Sequence, residues 1–207
     1  MLDKLADELL TAVDAAPERF LLGIAGPPGA GKTTLAAALA AAVRKQRGDA
    51  FAVVAPLDGF HLPNRALDER GLGAMKGAPE TFDVENFVRL LQRVRGARET
   101  ILWPEFDRSL DEPTSDAIAI PPDAKLVITE GNYLLLAGPG WSEVQPLLDD
   151  VWYVDAPRDV LRSRLIARQL AGGRTEEEAI RHVDGSDLPN AKLVARTQAR
   201  AGRTLRP

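Results

Sequence analysis

Between Gly26 and Thr33 the chain reads GPPGAGKT, two glycines, a lysine and a threonine at the spacing G-x-x-x-x-G-K-T. These residue types suit the binding of phosphate. Glycines let backbone N–H groups turn inward around an anion, the Lys32 ammonium reaches β- and γ-phosphate oxygens, and the Thr33 hydroxyl can ligate Mg2+ at a helix N-terminus that already favours negative charge. The pattern therefore predicts a nucleoside-triphosphate-binding loop made of Gly26, Pro27, Pro28, Gly29, Ala30, Gly31, Lys32, Thr33 and Thr34.

Two carboxylates stand where they could serve such a loop. Asp58, in VVAPLDGFH, closes a second apolar run. It could take the proton of an attacking hydroxyl or touch the metal, although Asp-Gly is also a common turn pair. Glu130, in KLVITEGNYLL, follows a third apolar run, and its carboxylate is expected beside Thr33 to hold magnesium directly or through water. Five arginines at 158, 162, 164, 168 and 174 face a single acid, Asp159. They read either as a solvated helix face or as a lid over about 158–185 that closes on triphosphate and excludes water, with Arg164 and Arg168, one turn apart, on the phosphate. His61 lies three residues past Asp58 and is either a surface residue or a substrate contact. Trp103 to Pro113, WPEFDRSLDEP, packs aromatic and charged groups, Arg108 among them, into a short irregular segment of the kind that lines a polar-substrate pocket, with Trp103 itself better suited to the core.

The elements that must position these groups are legible in outline. MLDKLADELLTAVDAAPERF is amphipathic, with Leu2, Leu5, Leu9 and Val13 at helical spacing. RFLLGIAG, AFAVVAPLDGF, KLVITEG and VWYVDAP read as buried strands, and KTTLAAALAAAVRKQ and DVENFVRLLQRVRG as helices between them. Apolar strands separated by helices imply an α/β fold: a parallel sheet with helices on both faces and ligands beyond the carboxyl ends of the strands. Residues 59–80, rich in glycine and proline, read as a long functional loop. The C-terminal third is helical, breaks at AGGR and restarts with a cap at TEEEAIRHV.

At 207 residues a single domain over 1–207 is the expectation. The net charge of −4 argues against a nucleic-acid partner. The chain has no cysteine for thiolate chemistry or disulfides, and its apolar runs fall short of the ~20 residues that cross a membrane. A cytoplasmic enzyme acting on a small molecule fits these bounds.

Taken in order along nearly the whole chain, these segments resemble the phosphoribulokinase, uridine kinase and bacterial pantothenate kinase family of P-loop kinases. GPPGAGKTT is similar to that family's phosphate loop, DGFH to the segment carrying its catalytic base, ITEGNYLLL to the end of its Walker B strand, and the arginine-rich helix to its lid. KGAPETFD resembles the Lys-Gly-x-Pro-Glu-Ser-Tyr-Asp stretch of pantothenate kinases, which implies substrate roles for Lys76, Glu80 and Asp83. The resemblance is strongest to small bacterial nucleoside/nucleotide kinase-like proteins labelled fructose transport system kinases. It implies a P-loop NTPase fold, transfer of the γ-phosphoryl group of ATP to a hydroxyl with Asp58 as base, and a homodimer. A sugar is the first expectation for the acceptor, with pantothenate or a nucleoside as alternative. A partner-dependent ATPase or nucleotide switch is the second alternative, although Asn-Lys-x-Asp and Leu-Ser-Gly-Gly-Gln are both absent.

Overall fold

The computed structural model describes residues 2–206. Helix α1, Leu2–Ala15, buries Ala6, Leu9, Leu10 and Val13. Strand β1, Phe20–Ala25, is buried at every position, as a continuous apolar run in a covered sheet must be. Its alternation divides the core: Leu22 and Ile24 join the side built on α1 and α2 (Lys32–Arg47), whereas Leu21 and Ala25 join the opposite side, built on α4 (Val84–Gly96). Five parallel strands lie in the order β2-β5-β1-β6-β7, where β2 is Ala52–Val54, β5 Leu126–Gly131, β6 Asp150–Val154 and β7 Arg203–Leu205. The α/β architecture with helices on both faces is as expected.

Several local expectations are corrected. The second strand stops at Val54, because Pro56 has no N–H to extend a ladder; a one-turn 3-10 helix, Leu57–Phe60, follows and carries Asp58. The stretch 59–80 is not without regular structure, since it holds α3, Asn64–Glu69, and 3-10 turns at Gly73–Met75 and Pro79–Thr81. The segment Trp103 to Pro113 is not irregular either. It forms the bend of an antiparallel hairpin, β3 (Ile101–Asp107) with β4 (Glu112–Ile120), whose register shifts between Trp103 and Glu105 around Pro104. Trp103 is fully buried, and its indole N–H donates to the Pro56 carbonyl at 2.9 Å, tying the hairpin to the turn that carries Asp58.

The arginine-rich helix α5 spans Arg158–Ala171 and the next helix, α6, Glu176–His182, opens with a Thr175–Glu178 capping box, as TEEEAIRHV predicts. A π-helical turn, Val183–Asp187, then joins α6 to α7, Leu188–Ala195. Behind the site, Arg19 is 6% exposed; its guanidinium donates to the carbonyls of Ala124 (2.7 Å), Pro121 (2.8 Å), Pro122 (3.1 Å) and Val94, pinning the end of α4 to the exit of the hairpin. Among the described residues no helix is long and apolar enough to cross a membrane.

Candidate active site

The loop between β1 and α2 turns at the carboxyl end of the central strand. Gly29 (φ 80°) and Gly31 (φ 101°) adopt left-handed backbone, which sets successive N–H groups into a concavity suited to an anion. Lys32, 8% exposed, opens α2; its ammonium donates to the Pro27 carbonyl at 3.1 Å and to Asn132 Oδ1 at 2.7 Å. The Thr33 hydroxyl donates to Glu130 Oε1 at 2.8 Å. Glu130 is 4% exposed near the end of β5, in register with Ile24 of β1. Burial pulls the Lys32 ammonium below its ordinary value and pushes the Glu130 carboxyl above its own, each shift opposed by the charge of the other.

These groups line a cavity of about 780 Å³ together with Asp58, His61, Arg108, Arg164 and Arg168. Asp58 and Glu130 lie close enough for the Asp58 charge to push Glu130 further up. The turn that holds Asp58 needs glycine next to it: a Cβ at Gly59 would stand 2.2 Å from the Pro104 carbonyl oxygen. That close approach, rather than an unusual backbone angle, explains the Asp-Gly pair and fixes the carboxylate against the hairpin. From the hairpin bend, Arg108 Nη2 donates to Asp58 Oδ2 at 3.2 Å. His61 stacks on Phe82 with ring centroids 3.9 Å apart; its Nδ1 is buried without a protein partner, and burial lowers its pKa. On α5, Arg164 Nη1 donates to the carbonyls of Gly29 (3.3 Å) and Ala30 (3.4 Å), so that this helix rests on the phosphate loop.

Three residues expected at the substrate do not line the cavity, although the Lys76 ammonium sits 5.2 Å from the ring centroid of Phe106, which does. Lys76 is drawn to the hairpin bend, donating to Asn64 Oδ1 (2.6 Å) and to Asp111 Oδ2 (2.8 Å). Glu80 is exposed, and Asp83 caps α4 by accepting from the Asn86 N–H at 3.1 Å. Gly26 and Pro27 lie behind the loop, Pro27 entering through the carbonyl that holds Lys32. Arg162 forks onto Asp184 at 2.9 Å through both Nε and Nη2, outside the cavity, and Arg158 and Arg174 are exposed. Conversely, the cavity contains Asn132, Asp187 and Asn190, which sequence reasoning passed over. Asn132 had a signal, two residues beyond Glu130 at a strand's carboxyl end; the other two had none.

The donor set fits magnesium. Among the described residues no group of three His, Cys, Asp or Glu side chains could cage a metal alone. A hydroxyl bonded to a buried carboxylate beside a phosphate-binding loop is what Mg2+ needs, because that ion keeps waters and phosphate oxygens as its remaining ligands.

No protein-family model matches the chain. A Schizosaccharomyces pombe protein named provisionally as a uridine kinase is 38% identical over 184 residues, spanning 86% of this chain and 78% of that protein. Pantothenate kinase of Yersinia pestis is 31% identical over 157 residues, 73% of this chain but 50% of the enzyme. A crystal structure from Silicibacter sp. TM1040, described provisionally as a fructose transport system kinase, superposes with a TM-score of 0.91 at 38% identity, covering 99% of this chain and 98% of that one. With the phosphate loop, its lysine and its threonine–glutamate pair assembled at one cavity, the chain belongs to the P-loop kinases, and it is a kinase.

Proposed function

We propose that the protein transfers the γ-phosphoryl group of ATP to a hydroxyl of a small polar metabolite, a sugar in the first instance. The observation that carries this reading is the placement of Asp58 in the same cavity as Lys32 and the Thr33–Glu130 pair. A carboxylate just beyond a strand's carboxyl end, lining the same cavity as the phosphate loop, stands where an acceptor hydroxyl can meet it.

In this reading Asp58 leaves Arg108 and takes the proton of the acceptor hydroxyl as its oxygen bonds to the γ-phosphorus. The bond from that phosphorus to the β–γ bridging oxygen breaks, and ADP departs with the electron pair. Lys32 and the arginines of α5, Arg164 and Arg168, spread the charge on the transferring group. Magnesium, held by Thr33 and Glu130, would supply Lewis-acid neutralisation of the phosphate oxygens. The segment 158–185 acts as a lid within a single domain, lowering water access once ATP is in place. His61 and Arg108 border the acceptor, while Lys76 braces the hairpin bend and Asp83 the start of α4 beside that chamber; the resemblance to pantothenate kinases implies substrate contacts for Lys76, Glu80 and Asp83. The reading places the enzyme in the cytoplasm, as a homodimer, which light scattering of the purified protein checks.

A sugar is favoured because a crystal structure at 38% identity and a TM-score of 0.91 carries a fructose-related name. The uridine kinase and pantothenate kinase names among the relatives keep a nucleoside and pantothenate in the test. The test is ADP release with Mg·ATP and a panel of D-fructose, D-ribose, sugar phosphates, glycerate, pantothenate and uridine. The reading expects one acceptor to raise the rate far above background. Release that no acceptor alters would point instead to a partner-dependent ATPase or switch.

A further inference from the structure

Besides Glu130, a second buried carboxylate lines the cavity. Asp187 is 8% exposed and lines the same chamber as Asp58. It ends the π turn Val183–Asp187, where an i→i+5 step shifts the chain off the 3.6-residue repeat and re-aims the side chains that follow. Its protein neighbours stand off: Gln169 Nε2 donates to Oδ2 at 3.4 Å, His182 Nε2 lies 3.9 Å from Oδ2, and Arg168 Nη2 lies 4.0 Å from Oδ1. An ionised carboxylate accepts about four hydrogen bonds, and burying one with so few is costly. Asn190, three residues on, lines the same cavity, and its Nδ2 makes only a 3.5 Å contact with the Gly77 carbonyl. Residues three apart share a helix face, so an acceptor-only group and an amide stand side by side at the chamber wall.

We infer that Asp187 and Asn190 recognise adjacent hydroxyls of a neutral polyol, with both Asp187 oxygens accepting from the acceptor molecule. Asp187 adds a negative charge to the wall of the acceptor chamber, which disfavours an anionic acceptor. This inference rests on the sugar-kinase reading and narrows it: a neutral vicinal diol is accepted, whereas sugar phosphates, glycerate and pantothenate are turned away.

The test compares wild type with Asp187→Ala and the isosteric Asp187→Asn. Acceptor kcat/KM is measured for D-fructose, D-ribose, 2-deoxy-D-ribose and uridine, alongside the KM for ATP and the melting temperature. The expected result is a loss of about 100-fold or more in acceptor kcat/KM for Asp187→Ala, with the ATP KM within about twofold. Wild type is also expected to prefer ribose over its deoxy counterpart by a factor that the variant loses. Unchanged acceptor kinetics in an active sugar kinase would overturn this inference alone. An equal rise in the ATP KM would overturn it too, because Asp187 would then be acting through Arg168. Preference for an anionic acceptor, or no acceptor at all, would remove the sugar reading and this inference together.

Discussion

Replacing Asp58 with Asn keeps the size of the side chain and removes the base. A positioned general base contributes about 10²- to 10⁴-fold, or about 2.7–5.5 kcal/mol at 1.36 kcal/mol per tenfold. The Asp58 carboxylate is 34% exposed and Arg108, its ion-pair partner at 3.2 Å, is 63% exposed. A pair so open to water contributes at most about 1 kcal/mol to folding, which for a chain of this length is a fall of about 2–4 °C in melting temperature. Nucleotide affinity is expected to stay within about threefold, because the Asp58 carboxylate bonds Arg108 of the hairpin bend and none of the phosphate-loop groups. The assay is acceptor-dependent ADP release under saturating ATP, with nucleotide binding and thermal unfolding measured on the same preparation. A kcat within about fivefold of wild type would refute Asp58 as the base, whatever happened to stability. A large fall in kcat accompanied by an equal loss of nucleotide binding would assign it to the metal instead.

Burial raises the Glu130 carboxyl, with Lys32 opposing; since only the ionised form holds magnesium, activity should fall on the acid side above the ordinary carboxylate value of about 4.3. Raising magnesium should move that midpoint down, and a pH profile indifferent to magnesium would contradict the assignment. His61 has its pKa depressed by burial, so the stability it contributes is present above about pH 6.5 and is lost as the pH falls from there toward the value in the fold. His61→Phe keeps a ring against Phe82 and should show a smaller drop in melting temperature between about pH 7.5 and about pH 5.5 than wild type; an equal drop would count against it. Arg19→Met strips hydrogen bonds from four carbonyls and should cost about 3 kcal/mol or more, roughly 6–12 °C in a thermal melt, with a change under about 1 kcal/mol showing that water replaces the guanidinium.

The phosphate loop was legible because its spacing follows an apolar strand and opens a helix, so motif and context select the same backbone. Glu130 was legible for a related reason: the carboxyl end of a continuous apolar run in a parallel sheet points to the ligand. Asp58 was located by the same logic, although it stands on a 3-10 turn created by Pro56 rather than on the strand itself. The hairpin was hidden because Pro104 interrupts its first strand and no Asn-Gly or Asp-Gly turn joins the two. Asp187 and Asn190 were hidden more deeply. VDGSDLPN reads as a polar break, and a π turn follows neither the helical nor the strand repeat that sequence periodicity detects. Lys76 and Asp83 were drawn from resemblance, and their side chains engage the hairpin bend and the α4 cap, contacts that depend on elements distant in sequence or invisible in composition.

A kinase of this kind delivers the γ-phosphoryl group of ATP to an organic hydroxyl, so the fate of that group is what decides. The most direct measurement follows γ-labelled ATP with magnesium and the acceptor panel, separating phosphate esters from inorganic phosphate. The label is expected in an ester of one neutral polyol, at a rate that Asp58→Asn lowers by about 100-fold or more. Label recovered only as inorganic phosphate, at the same rate with every acceptor and with none, would contradict it.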